Sequence, residues 1–230
     1  MNVRTRLAPS PTGKMHIGTL RTALFDYFLA KQHGGAFIIR IEDTDQGRRV
    51  PGAIENLLAM FQAVNISHDE GPFLQADGTI VERGDVGPYV QSARLPTYQK
   101  YADELVAKGF AYPCFCTTER LDEMRKAQMA VKQTTKYDRR CLALTAEEAR
   151  SRIHAGEEHV IRIKVPEGNT EFVDAIRGLI AFDNQEVDDC IIMKSDGFPT
   201  YYLACVVDDQ LMNITHILRG EEWISSTPKS

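Results

Sequence analysis

The sequence lacks the features that mark membrane, secreted and repetitive proteins. No apolar run approaches the roughly 20 residues that a membrane-spanning helix needs, and the first residues show no apolar signal segment. Five cysteines in 230 residues are too few for a disulfide scaffold, and their odd number suits reduced thiols. Internal repeats and low-complexity tracts are absent as well. These absences exclude a disulfide-rich secreted domain and a solenoid, and we expect a cytoplasmic protein without membrane contact.

Positive charge is outnumbered over the whole chain but is concentrated in its middle. The net charge is −5, which argues against a protein that binds nucleic acid over its entire surface. Residues 93–152 nevertheless carry 12 Lys and Arg against 8 Asp and Glu. Such a segment is able to follow the phosphates of a nucleic acid, although a solvated helical surface of mixed charge gives the same count.

Hydrophobic periodicity predicts alternating strands and helices in the first third of the chain. Residues 4–8 read as a buried strand, and residues 19–32 repeat apolar positions at the helical period before two glycines. A second strand is predicted at residues 36–41, and a further helix begins near residue 51. This alternation is typical of a parallel sheet that is covered by helices.

The rest of the sequence predicts a second kind of domain within the first. Residues 69–87 are rich in Gly, Asp and Pro and are predicted to form a long loop. Further helices are predicted at residues 96–108, 120–132 and 145–154, and antiparallel strands at residues 158–165 and 170–182. Towards the end of the chain, residues 191–193 are predicted as a buried strand, residues 201–212 as a segment with an apolar face and residues 214–218 as a further strand. We therefore predict an α/β fold in which a doubly wound parallel sheet (1–92 and 187–230) is interrupted by an inserted α+β domain (93–186).

Residues 6–19 combine a strand end, a proline-containing turn, two glycines, a histidine and the start of a helix. The unpaired N–H groups and the positive end of that helix favour a bound phosphate. His16 stands at the helix mouth, where it can donate a hydrogen bond to charge that develops in a transition state. Taken alone, the same residues also describe a capped helix with a surface histidine.

Charged side chains follow several of the predicted strands. Glu42 lies at the carboxyl end of a parallel strand, where such sheets bind ligands and where a carboxylate can hold an ammonium group. Arg6 lies in another predicted strand and Arg219 follows a third, and two guanidinium groups together can clamp a carboxylate. Tyr201 comes after a turn that follows a buried strand, and it can face the same edge of the sheet.

Taken together, these motifs resemble the catalytic part of bacterial-type glutamyl-tRNA synthetases, which are class I aminoacyl-tRNA synthetases. The matching segments cover nearly the whole chain and are RLAPSPTG (6–13), HIG (16–18), RIEDTD (40–45), GPYVQS (87–92), KSDG (194–197), VDD (207–209) and RGEEW (219–223). The resemblance implies a Rossmann catalytic domain that is interrupted by a domain for the tRNA acceptor stem. It also implies that ATP with Mg²⁺ and L-glutamate form glutamyl-adenylate, and that the glutamyl group passes to the 2′-hydroxyl of the terminal adenosine of tRNA(Glu). We expect the protein to act as a monomer.

The resemblance also implies roles for individual residues. His16 stabilises the pentavalent phosphate, and Gly18 lets adenine approach the backbone. The residues implied for the glutamate pocket are Arg6, Ser10, Tyr201 and Arg219, with Glu42 on the α-ammonium. The residues implied for ATP are Thr12, Gly13, His16, Gly18, Glu222 and Trp223. The catalysis needs positioning and electrostatics rather than a side-chain nucleophile, because the attacking carboxylate belongs to the substrate.

The sequence departs from the family pattern in its last residues. The second signature, a KMSKS-like loop whose lysine steadies the triphosphate, is not found, and we expect a fragment that is poorly active by itself. A related alternative is a glutamyl-queuosine tRNA synthetase, which lacks an anticodon-binding domain. An alternative of another class is a non-catalytic module that binds RNA or senses glutamate.

Three of the cysteines form a cluster that points to metal. Cys114, Cys116 and Cys141 have a spacing that suits tetrahedral zinc, and they resemble the zinc site in the inserted domain of some relatives. A histidine that completes the site in some relatives is replaced by Ala143, and Tyr137 is the candidate fourth ligand. Three reduced structural thiols are an equally good interpretation. The other two cysteines, Cys190 and Cys205, stand in apolar company and are expected to be small buried residues.

Overall fold

The computed structural model describes residues 2–13 and 16–229, and these residues divide into two compact units. Unit one contains the described residues up to Leu95 together with Ala204–Trp223, and unit two contains Pro96–Leu203 and the described residues from Ile224 onward. Lys14 and Met15, in the middle of the predicted phosphate loop, lie outside the described residues. The domain boundaries at residues 92/93 and 186/187 stay a prediction.

Unit one begins with the predicted alternation of strands and helices. Its first elements are β1 (Arg4–Leu7), α1 (Ile17–Gln32), β2 (Ala36–Ile39) and α2 (Ala53–Ala63). The strands β1 and β2 are parallel, in a register that sets Arg4 beside Ala36 and Leu7 beside Ile39. Apolar residues of all four elements form one core, so the pattern read from the sequence is confirmed here.

Small residues allow α1 and the turn after it to approach the strands closely. Ala23 and Ala30 are completely buried on the face of α1 that packs against the core. Gly34 ends the helix with φ of +62°, a conformation that favours glycine. A Cβ on Gly35 would lie 1.8 Å from the carbonyl oxygen of Val3, so this position accepts no side chain.

Residues 69–87 are not the long loop that their composition predicts. They contain β3 (Gly71–Leu74) and β4 (Ile80–Arg83), which pair as an antiparallel hairpin. Asp77 accepts hydrogen bonds from the N–H and the hydroxyl of Thr79, which stabilises the turn. The residues of β4 are exposed, so the hairpin lacks the apolar alternation by which strands are recognised in a sequence.

The remaining elements are α3 (Leu95–Ala107), β5 (Ala111–Cys114), α4 (Thr118–Ala130), α5 (Ala146–His154), β6 (Val160–Ile163), β7 (Asn169–Asp174), β8 (Gly178–Asp183), β9 (Ile191–Met193) and α6 (Tyr201–Leu211). In unit two, β5, β6 and β9 form an antiparallel sheet, and β7 and β8 form a hairpin. The helices among the described residues are too short or too polar to cross a bilayer.

Two strands predicted near the end of the chain differ from the structure. β9 was expected to return to the parallel sheet, but it pairs with β6 in unit two. Residues 214–218 form no strand, because the N–H groups of Thr215 and His216 both donate to the one carbonyl of Arg4 instead of forming a ladder. Apolar content alone does not indicate which partner a short strand finds.

Candidate functional site

The predicted phosphate cradle has its helix cap in place. His16 is the N-cap residue of α1, and its Nδ1 accepts a hydrogen bond from the backbone N–H of Gly18 at 3.1 Å. Because Nδ1 accepts, the neutral ring carries its proton on Nε2, which leaves that nitrogen as the donor. A Cβ on Gly18 would lie 2.9 Å from Cε1 of His16, so a side chain there would displace the ring. The sequence His-Ile-Gly therefore orients an exposed histidine at the positive end of a helix.

A network of buried charges lies beside β1 and β2. Arg40 is fully buried directly after β2 and donates from Nη1 to Asp209 at 2.6 Å and from Nη2 to Glu42 at 3.0 Å. Arg6, on β1, donates from Nε to both carboxylate oxygens of Asp209, at 3.1 and 3.2 Å. One carboxylate on α6 therefore holds two arginines that come from neighbouring strands.

Glu42, which was predicted to bind an ammonium group, belongs to this network. Its side chain is 10% exposed, whereas the side chain of Arg40 beside it is not exposed at all. Burial raises the pKa of Glu42, and the positive charges of Arg40 and Arg6 oppose that rise. Its backbone N–H donates to the carbonyl of Pro9 at 3.0 Å, which joins the segment after β2 to the loop after β1.

Cys205 and Asp209 lie one turn apart on α6 and complete the network. Burial raises the pKa of Asp209, but Arg40 and Arg6 outweigh this effect and hold the pKa below its ordinary value. Cys205 is buried as expected, but its neighbours are charged rather than apolar. Its Sγ lies 3.6 Å from Nη2 of Arg6 and 3.6 Å from Nη2 of Arg40. Burial raises the pKa of the Cys205 thiol. Helical periodicity shows that this face of α6 is buried, but it does not show that the neighbours are charged.

Asp208 and Asp43 brace the segments around the network. Asp208 is fully buried and accepts hydrogen bonds from Nε2 of Gln91 at 2.9 Å and from Nε of Arg94 at 2.7 Å. Asp43 accepts from both the N–H and the hydroxyl of Ser92, at 2.8 and 2.7 Å. Sequence reasoning assigned no role to these residues. One signal in the sequence could have indicated them: Asp208 and Asp209 are adjacent in an otherwise apolar helical segment. Carboxylates that are buried with such a segment need hydrogen-bond or charged partners.

Asp26 is a buried carboxyl group beside the network. It lies on α1 with no exposed surface, and neither of its carboxylate oxygens has a hydrogen-bond partner among the described residues. Burial raises the pKa of Asp26 to about 8, with Arg6 opposing and Asp209 adding to the rise. Thr5 donates its hydroxyl to the backbone carbonyl of Asp26 rather than to the carboxylate.

Three of the predicted ligand residues lie in the loop after β1. Ser10, Thr12 and Gly13 are all exposed, and the N–H of Thr12 donates to the carbonyl of Ser10 at 2.8 Å. They belong to unit one, as do His16 and the charge network. Their roles toward glutamate and ATP stay predictions.

The other predicted ligand residues are near the end of the chain. The guanidinium of Arg219 lies 6.0 Å from the ring centroid of Trp223, in cation–π geometry, and Glu222 between them is exposed. These residues are in unit one, whereas Tyr201, the first residue of α6, is in unit two. The ring of Tyr201 meets that of Tyr202 edge to face at 5.8 Å.

The cysteine cluster predicted from the sequence is assembled within unit two. The sulfur atoms of Cys114, Cys116 and Cys141 lie within 4.8 Å of one another, and those of Cys116 and Cys141 are 3.6 Å apart. The hydroxyl of Tyr137 lies 3.3 Å from the sulfurs of Cys114 and Cys116. Arg162 stacks its guanidinium 4.0 Å from the centroid of the Tyr137 ring, which brings a positive charge to a cluster of potential anions.

Comparison with known proteins places these features in a family. The model of the class I tRNA synthetase catalytic domain for glutamate and glutamine matches residues 2–230. A glutamate–tRNA ligase of Clostridioides difficile (strain 630) is 54% identical over 230 residues, which are 100% of this chain and 47% of that protein. One of Stutzerimonas stutzeri (strain A1501) is 52% identical over 99% of this chain and 45% of its own length. This chain thus spans about half the length of the curated relatives it matches.

Solved structures agree with the sequence comparison. A crystal structure of a glutamate tRNA ligase from Elizabethkingia meningosepticum CCUG26117, in complex with its amino acid, matches with a TM-score of 0.89 and 37% identity. The match covers 99% of this chain and 45% of that one. A glutamate–tRNA synthetase from Elizabethkingia anophelis matches with a TM-score of 0.88 and the same identity, over 99% of this chain and 46% of its own. The predicted Rossmann-like α/β fold is thereby confirmed.

Proposed function

Because this chain belongs to the class I tRNA synthetases for glutamate and glutamine, within their catalytic domain, we propose that it activates L-glutamate with ATP and transfers the glutamyl group to tRNA(Glu). The observation that carries this proposal is the charge network of unit one. It joins Glu42, Arg6 and Arg40 beside two parallel strands, in the unit that also contains His16. An amino acid with two carboxylates and an ammonium group requires charges of both signs in one pocket.

In the first step, a carboxylate oxygen of glutamate attacks the α-phosphorus of MgATP, and the bond to pyrophosphate breaks. His16 donates from Nε2 to the charge that develops on the α-phosphate, since its Nδ1 is held by the N–H of Gly18. In the second step, the 2′-hydroxyl of the terminal adenosine of the tRNA attacks the glutamyl carbonyl, and AMP leaves. Both steps depend on positioning, and neither requires a nucleophile from the protein.

Recognition of glutamate rests on complementary charges. Glu42 accepts hydrogen bonds from the α-ammonium, and Arg6 and Arg219 favour the side-chain carboxylate, with Ser10 of the same unit lining the pocket. An amide in place of that carboxylate would leave guanidinium donors badly paired, which favours glutamate over glutamine. Thr12, Gly13, Glu222 and Trp223 complete the nucleotide site.

The experiment is a thermal-shift titration of this chain with a non-hydrolysable mimic of glutamyl-adenylate and with its glutaminyl counterpart. At about 100 times its dissociation constant the glutamyl mimic should stabilise the protein by roughly 2.7 kcal/mol. Glu42→Gln should abolish most of this stabilisation, whereas the matched control Glu55→Gln, at an exposed position of α2, should keep it. The absence of a shift with either mimic would contradict the proposal and favour a non-catalytic module.

A second assay separates the two tRNA-directed alternatives. Removal of the 3′-terminal adenosine takes away the hydroxyl groups that accept the glutamyl group. Transfer of labelled glutamate should therefore be lost with the shortened tRNA. Transfer that survives this removal would indicate attachment to a base, as expected of a glutamyl-queuosine tRNA synthetase.

The cysteine cluster supports zinc as a structural metal of unit two. Tetrahedral zinc–thiolate bonds of about 2.3 Å set sulfur atoms about 3.8 Å apart, which agrees with 3.6 Å between Cys116 and Cys141. Cys114, Cys116, Cys141 and Tyr137 would hold the ion, which would cross-link β5 to the segment around residue 141. Elemental analysis should find zinc that Cys141→Ser removes and the control Cys190→Ser retains. Three freely titratable thiols at residues 114, 116 and 141 in the native chain would favour the alternative of reduced structural cysteines.

A further inference from the structure

Arg40 occupies a central position in the charge network, among three carboxylates, and its Nε lies 3.6 Å from an oxygen of one of them, Asp208. It is fully buried, and it donates to Asp209 at 2.6 Å with one Nη atom and to Glu42 at 3.0 Å with the other. Glu42 and Arg40 are two residues apart on the extended segment after β2, and such residues point to the same face. Asp209 comes from α6 and fixes the orientation of the guanidinium from the opposite side.

We propose that Arg40 is a positioning residue, which holds the carboxylate of Glu42 in place and in its ionised form so that Glu42 can receive the α-ammonium of the amino acid. This inference rests on the proposed function, because it takes Glu42 as the ammonium-binding group. Arg40 itself need not touch the substrate. It acts through Glu42, and Asp209 acts in turn through Arg40.

The balance of charges around Glu42 gives the physical reason. The positive groups that face Glu42 are Arg40 and Arg6, and the groups that carry or can acquire negative charge are Asp209 and Cys205. Burial favours a neutral Glu42, and the two arginines favour its carboxylate form. Without Arg40, Glu42 would share the single charge of Arg6 with Asp209, which already takes two hydrogen bonds from it. The buried carboxyl group would then hold its proton and would lose its affinity for an ammonium group.

The test measures recognition of the ammonium group by itself. The first probe is the adenylate ester of glutamol, the alcohol that corresponds to glutamate, whose amine has the basicity of an ordinary alkylamine. The second probe is the same ester without the amine. Isothermal titration calorimetry gives the ratio of their dissociation constants at about pH 6 and about pH 8, a range within which a carboxyl group with a raised pKa can ionise. The ratio is insensitive to changes that weaken both ligands equally.

The wild-type chain should prefer the amine-bearing probe by about tenfold or more at both pH values, as expected for a charge-assisted hydrogen bond. Arg40→Met should lose this preference at about pH 6 and regain part of it at about pH 8, where Glu42 ionises without help. A structural role of Arg40 would weaken both probes without creating this pH dependence. The matched control is Arg4→Met, because Arg4 on β1 pairs with Glu70 at 2.6 and 3.1 Å, away from Glu42. It should keep the wild-type ratio.

Several outcomes would overturn the inference. One is an Arg40→Met chain that prefers the amine at both pH values, and another is a wild-type preference that already disappears at about pH 6. If Arg40→Met does not fold, as judged by circular dichroism, Arg40→Gln replaces it, because glutamine retains donors for Asp209 without the charge. Failure of the wild-type chain to bind either probe would refute the proposed function instead, so that the two failures are distinguishable.

Discussion

We expect that replacing Asp26 by asparagine stabilises unit one at neutral and alkaline pH. Asp26 is completely buried on α1, and its carboxylate oxygens lack hydrogen-bond partners among the described residues. Burial raises the pKa of this carboxyl group from 3.8 to about 8. The unfolded chain therefore releases the proton at much lower pH than the folded chain does, and stability falls as the pH rises between these two values.

The magnitude follows from the pKa change. At 1.36 kcal/mol per pH unit, ionisation of Asp26 costs the folded state on the order of 5 kcal/mol at about pH 8. A buried amide without partners costs about 1–3 kcal/mol, which offsets part of this gain in the variant. We therefore expect Asp26→Asn to be more stable than the wild type by about 2–4 kcal/mol at about pH 8, with the advantage declining to zero or below near pH 4.

Trp223 provides the assay, because it is the single tryptophan of the chain and belongs to unit one. Urea unfolding followed by its fluorescence, at a series of pH values between about 4 and 9, gives the free energy of unfolding. The control Glu55→Gln removes one exposed carboxylate of the same unit and should change stability by less than about 0.5 kcal/mol. A difference between Asp26→Asn and wild type that stays constant over the whole pH range would refute the reasoning.

Three further predictions concern the stability of unit one and use the same unfolding assay. Gly35→Ala should destabilise the chain by about 3 kcal/mol or more, because its Cβ would lie 1.8 Å from a backbone oxygen, whereas Gly34→Ala, with open space at φ of +62°, should cost about 1 kcal/mol. Asp208→Asn should cost about 3–5 kcal/mol, since it removes the charge that partners a buried guanidinium, and a loss below about 1 kcal/mol would contradict this. The hydrogen bonds from Arg4 lower the pKa of Glu70, so the stability that this ion pair contributes should be lost as the pH falls through that pKa. Glu70→Gln should therefore be less stable than wild type at neutral pH and equal to it in acid, and an equal loss at every pH would contradict the ion-pair explanation.

Local patterns in the sequence were sufficient for the main elements of unit one. The helical period of residues 19–32 and the glycines after them predicted α1 to within two residues of its observed start. The hairpin of β3 and β4 was missed because its second strand is exposed and shows no apolar alternation. β9 was recognised as a strand, but its partner was not, since strand pairing joins residues that are far apart in the chain.

The candidate site shows the same division. The sequence by itself determined which residues are candidates for the site, because the His16 cap, the strand-end Glu42 and the cysteine spacing are local features. Only the tertiary structure decided that Arg40 and Asp209, 169 residues apart, share a hydrogen bond. The physical reason is that ion pairing depends on which residues pack against a side chain. Hydrophobic periodicity indicates that one face of an element is buried, but it does not identify the residues that cover that face.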